Sequence, residues 1–118
     1  MKVENATKAH PEWAEQGVKF AIADYYDPRN ILTGFRGVDV AISAVEASED
    51  GLQNQKALGD TAKVGGVKIF VPSEFGTPTA NPDEIIGLKI HIRDYLREIK
   101  MPFTIFYTGP CTDLLFNP

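Results

Sequence analysis

With a single cysteine, Cys111, in its 118 residues, this chain can form no internal disulfide and suits a reducing compartment. No stretch approaches the roughly 18 apolar residues of a membrane span. Residues 1–15 mix polar and apolar side chains without the apolar core of a secretory signal, so the cytoplasm is the default location and no membrane partner is expected. Basic residues are outnumbered, 12 against 16, and form no cluster, which argues against a nucleic-acid partner. His10 and His91 fall into no Cys/His group at ligand spacing, so no metal site is expected. No glycine-rich loop of the kind that cradles phosphates is present, nor an internal repeat or low-complexity linker. What remains has ordinary globular composition and the length of one domain at most.

Along that length, strand-like and helix-like segments alternate. Gly17 to Asp24 reads as a strand, and Asp27-Pro28 opens a short helix in which proline suits the first position. That helix stops at Gly37, and Val38 to Val45 follows as a nearly continuous apolar strand, the pattern of a parallel strand covered on both faces. Gly51 to Gly66 gives a second helix, preceded by Ser48-Glu49-Asp50, whose acids suit a helix N-terminus. Val67 to Phe75 is a third strand. Asn81, Pro82 and Glu84 carry capping signals for a long helix, and Ile85, Leu88, Ile92, Tyr95, Leu96 and Ile99 form its apolar stripe. Met101-Pro102 ends it, Phe103 to Tyr107 is a fourth strand leading to Thr108-Gly109-Pro110, and Asp113 to Pro118 starts another helix. Such alternation predicts an α/β fold with a parallel sheet of about four strands.

The chemistry concentrates where the third strand ends. Pro72-Ser73-Glu74-Phe75-Gly76 occupies the carboxyl end of a parallel strand, where ligands of open α/β sheets bind. Lys89 lies on the margin of the apolar stripe, so its stem rests on protein and its ammonium reaches the sheet's carboxyl edge. It either serves a ligand, as a hydrogen-bond donor or an acid/base, or simply snorkels to solvent. Ser73 either hydrogen-bonds a ligand or satisfies backbone groups in a strand-terminal turn, and Phe75 either flanks a planar ring or belongs to the core. Ser43, Ala44 and Val45 end the second strand with residues small enough for close ligand approach, a weak signal. Cys111 reads as a structural thiol.

Taken together, Gly17-Val18 through Ala23-Asp24, Gly37-Val38-Asp39-Val40 leading to Ile42-Ser43, Gly66-Val67-Lys68 leading to Pro72-Ser73-Glu74-Phe75-Gly76, Lys89 with Arg93, and Pro102-Phe103-Thr104 resemble the NmrA-like and isoflavone-reductase-like atypical short-chain dehydrogenases. The resemblance implies a Rossmann fold binding NADP(H), with Lys89 at the nicotinamide ribose as catalytic acid/base. It implies that Ser43, Ala44, Val45, Ser73 and Phe75 line the dinucleotide. Ile85 stands where ordinary short-chain dehydrogenases have the tyrosine of their tyrosine-lysine pair, as it does in this subgroup.

On this resemblance, residues 1–118 read as a single incomplete NAD(P)-binding domain, a fragment lacking the first βαβ unit with its glycine-rich loop and the substrate-binding part. The parent is expected to be an NADPH-dependent oxidoreductase acting on a small molecule, with this chain alone inactive. The alternative is a non-catalytic redox-sensing regulator or a degenerate interaction module. Without the two central strands, the edge Val38 to Val45 is left apolar and unpaired, an aggregation risk. Either the Gly17 strand shifts to cover that edge or a partner does, self-association included.

Overall fold

The computed structural model describes residues 3–46, 48–78, 81, 83, 87–110 and 116. In chain order its elements are α1 (Val3–Ala9), α2 (Pro11–Glu15), α3 (Pro28–Gly34), β1 (Val40–Ile42), α4 (Glu49–Val64), β2 (Ile69–Val71) and α5 (Leu88–Glu98). β1 and β2 are parallel, with Val40 opposite Ile69, Ala41 opposite Phe70 and Ile42 opposite Val71. Hydrogen bonds lengthen the ladder at both ends. The Lys68 N–H reaches the Asp39 carbonyl at 2.9 Å, and the Ser43 N–H reaches the Val71 carbonyl at 2.8 Å. α4 is the crossover that a parallel pair requires. Beyond α5, Phe103 makes a parallel bridge to Phe70, with the Thr104 N–H donating to the Phe70 carbonyl at 3.1 Å.

Local sequence explains where the helices begin. The Asp27 carboxylate accepts the Arg29 N–H at 3.0 Å and Pro28 takes the first turn of α3. The Ser48 hydroxyl accepts the Gly51 N–H at 3.0 Å, a cap worth about 1 kcal/mol, and Glu49 and Asp50 stand in the first turn of α4. Gly37 and Gly66 adopt positive φ where the chain turns out of α3 and α4 towards the strands.

The core lies where α4 and α5 pack on one face of the sheet. It comprises Ala41, Leu52, Ala62, Val67, Phe70, Ile92, Leu96 and Met101. The Tyr95 hydroxyl donates to the Asp60 carboxylate at 2.7 Å, fixing α5 on α4, and that carboxylate is the main cause pushing the phenol up to about 12. The N-terminal segment makes its own small cluster, with His10 stacked on Trp13 at 4.2 Å and Phe20 beyond.

Several expectations are corrected. Residues 18–24 form no strand: with no strand beside them among the described residues, they run to an Asp24 turn whose carboxylate accepts the Tyr26 N–H. They do not cover β1, whose outward side chains Val40 and Ile42 stay 49% and 65% exposed. The fourth strand is reduced to the single bridge at Phe103, so the described sheet has two strands and a bridge rather than four strands. The stripe of α5 is borne out at Ile92 and Leu96, both buried. Pro82, Glu84, Ile85, Cys111 and the expected helix from Asp113, Phe116 apart, lie outside the described residues.

A Cβ at Gly51 would stand 2.3 Å from the Glu46 carbonyl oxygen, so Gly51→Ala must displace the loop that follows β1. This variant is expected to lose about 1–3 kcal/mol in urea unfolding. It should also shift the amide resonances of Ser43, Ala44 and Val45 while leaving Tyr95 in place; an unperturbed loop contradicts the packing described.

Candidate functional site

Parallel pairing puts the carboxyl ends of β1 and β2 side by side, and hydrogen bonds stitch together the loops into which they lead. The Ser73 hydroxyl donates to the Val45 carbonyl at 2.8 Å, and the Ser73 N–H donates to the buried Gln55 side chain at 2.6 Å. Lys89, in the first turn of α5, donates from its ammonium to the Glu74 carbonyl. The Gly109 N–H reaches the Gly76 carbonyl at 3.1 Å, bringing the end of the third sheet segment to the same edge. Ser43, Val45, Ser73 and Lys89 thus share one rim.

Each sequence-derived candidate has a definite place. Ser43 is buried, and its hydroxyl has no hydrogen-bond partner among the described residues. Ser43, Ala44 and Val45 line a cavity of about 450 Å³ that continues along β1 to Tyr25 and Phe35. Ser73 satisfies a backbone group, as the turn reading holds. Phe75 is not core: the residue is 38% exposed, and its backbone sits at φ +31°, a conformation that L side chains rarely adopt. The half-buried Lys89 has its stem against protein and its ammonium at the sheet edge.

Two contributors went unnoticed at the level of sequence. Gln55 reads as one more polar position on a helix, yet it is buried and holds Ser73. Glu74 reads as part of a turn, yet it is 2% exposed, with its Oε1 3.4 Å from Nε of Arg93. The Arg93 Nη1 donates in turn to the Tyr107 hydroxyl at 3.2 Å. Burial pushes the Glu74 carboxyl above its usual 4.5, while the charges of Arg93 and Lys89 pull it back. The signal available in sequence was the Lys89/Arg93 spacing, one helical turn. Among the described residues no group of His, Cys, Asp and Glu is arranged to hold a metal. No helix among them is long and apolar enough to cross a membrane.

The raised carboxyl sets a pH dependence. Between 4.5 and the higher folded value, the folded chain holds a proton at Glu74 that the unfolded chain has released, so stability from this group falls as pH rises through that window. The melting temperature of the natural chain, measured against Glu74→Gln, is expected to rise as the buffer is taken from neutrality down towards 4.5. A difference that stays flat with pH contradicts this.

Comparison with known proteins bears on the family and the fold. Oxidoreductase aprR of Aspergillus flavus is 36% identical in a 98-position alignment that covers 75% of this chain and 32% of that protein. The isoflavone reductase homolog IRL of Zea mays is 32% identical over 102 residues, covering 80% of this chain and 32% of its own length. The chain therefore spans about a third of the curated relatives it matches. Among solved structures, AtPrR2 with NADP+ and (+)-pinoresinol superposes with a TM-score of 0.74 at 22% identity, over 93% of this chain and 38% of that one, which shows the shared fold. The model of the NmrA-like family matches residues 3–116, nearly the whole chain, and the chain belongs to the NmrA-like family.

Proposed function

We propose that Ser43, Ala44, Val45, Ser73, Phe75 and Lys89 form the nicotinamide-facing part of an NAD(P)H site in a reductase that acts on a small organic molecule. The observation that carries this is the Lys89 ammonium, held at the carboxyl edge of the parallel sheet by the Glu74 carbonyl, in a chain of this family. Two related findings support it: AtPrR2 was solved with NADP+ and (+)-pinoresinol, and relatives of this chain are oxidoreductases and isoflavone reductase homologues.

The residues present fit one half of such a cofactor. The Ser43 hydroxyl, buried beside the cavity without a partner among the described residues, can serve a ribose or amide oxygen. The pyrophosphate half has no counterpart here, because these 118 residues contain no G-x-x-G-x-x-G loop. A bound reduced nicotinamide supplies hydride. The work of the chain is to orient and to handle protons. An ammonium has three N–H donors, and Lys89 uses one on Glu74, leaving two to hold a ribose hydroxyl and to give a proton to a substrate oxygen or carbon. Phe75, exposed at the rim, offers a face to a planar ring. Ser73, fixed by Gln55 and Val45, keeps the two strand ends together beneath it.

Two measurements test the reading. Calorimetry of the 118 residues with NADPH is expected to give no binding heat in the micromolar range, because the phosphate cradle is missing; micromolar affinity contradicts the half-site. In the whole protein, Lys89→Ala is expected to lower kcat by at least about 100-fold, with KM for NADPH changing far less. Unchanged turnover removes the acid/base role and leaves a dinucleotide-binding regulator.

A further inference from the structure

We propose that Glu74 is the positioning residue for Lys89, acting through Arg93: its main-chain carbonyl holds the lysine, and its carboxylate holds the helix on which the lysine rides. The inference rests on the role given to Lys89 above. Lys89 and Arg93 are four residues apart on α5, so they share a face one turn apart, and both converge on this one residue. Two cations at that spacing repel each other unless an anion lies between them. Glu74 supplies the anion from the strand side, with its side chain 1% exposed and that of Arg93 16%.

The geometry is that of a clamp. Arg93 touches the Glu74 carboxylate through Nε and the Tyr107 hydroxyl through Nη1, so it spans from the end of β2 to the segment beyond Phe103. Rotation or sliding of α5 would pull Arg93 off both contacts and carry Lys89 away from the Glu74 carbonyl. Because a buried carboxylate without its cation is costly, the arrangement favours one placement of the helix, and hence of the ammonium, over its neighbours. A purely stabilising Glu74 would loosen the whole chain when replaced. A positioning Glu74 would release Lys89 in particular.

Competitive acetylation of the lysines, read by mass spectrometry on the 118-residue chain without nucleotide, separates the two. Exposed Lys19 serves as reference. The near-ultraviolet circular dichroism of each variant reports on the fold. Glu74→Gln and Arg93→Gln are each expected to raise the rate at Lys89 several-fold with that signal retained. The charge-keeping Arg93→Lys should stay close to the natural chain, and the double variant should exceed neither single one. Unchanged reactivity of Lys89 in Glu74→Gln, with the signal retained, overturns the proposal. If Glu74→Gln loses the signal as well, the comparison of Arg93→Gln with Arg93→Lys decides: a difference at Lys89 supports the clamp, and equality overturns it. Since no nucleotide is present, the outcome is independent of the kcat test, and positioning can stand even if Lys89 proves not to be catalytic.

Discussion

A carboxylate buried at the end of a parallel strand has to be compensated from within the protein, and at Glu74 that requirement organises the carboxyl edge of the sheet. Arg93 approaches the acid from α5, Lys89 bonds the carbonyl of the same residue, and Tyr107 holds Arg93 from the far side. Strand β2, helix α5 and the segment after Phe103 therefore meet at one point. The packing beneath them is apolar and close, with Phe70, Ile92 and Leu96 fully buried. The rim residues owe their position to this polar junction and to the paired Ser73–Gln55 and Ser73–Val45 hydrogen bonds.

Much of this was legible in sequence wherever a signal is local. Asp27-Pro28 begins a helix as expected, glycines at 37 and 66 take the positive φ of turns, and Ile92 and Leu96 face the core as their spacing requires. Lys89 on the margin of that stripe was enough to place its ammonium at the sheet edge. Strand formation is a different matter, because a strand exists only if another lies beside it. Residues 18–24 have the composition of a strand and no partner, and Phe103 to Tyr107 pairs only at its first residue. Glu74 and Gln55 show a second limit. Their burial is set by what packs over them from residues distant in sequence, and no window around either position reports it.

Pairing among the described residues is uneven at the other edge of the sheet. β1 is a free edge whose Val40 and Ile42 side chains are largely in solvent, and Ile69 on the neighbouring strand is half-exposed beside them. The described residues cover one face of the sheet with α4 and α5; on the other, Val71 is buried while Val40, Ile42 and Ile69 remain exposed. The cavity along β1 is lined from both sides of that strand, by Val40 and Ile42 and by Ala41 and Leu58. A cofactor seated at the rim would receive contacts from Ser73, Phe75 and Lys89 at one end and only the wall of the cavity at the other.

Nuclear magnetic resonance titration of the 118 residues with reduced nicotinamide mononucleotide tests the central claim most directly, since that ligand carries the ring and ribose without the adenylate half. The half-site predicts shifts at millimolar concentrations in the amides of Ser73, Glu74, Phe75 and Gly76 and in the Lys89 side chain, while a separate groove between α3 and α4, lined by Leu32, Ala57 and Val64, stays undisturbed. Shifts confined to that groove, or none at the sheet edge, would contradict it.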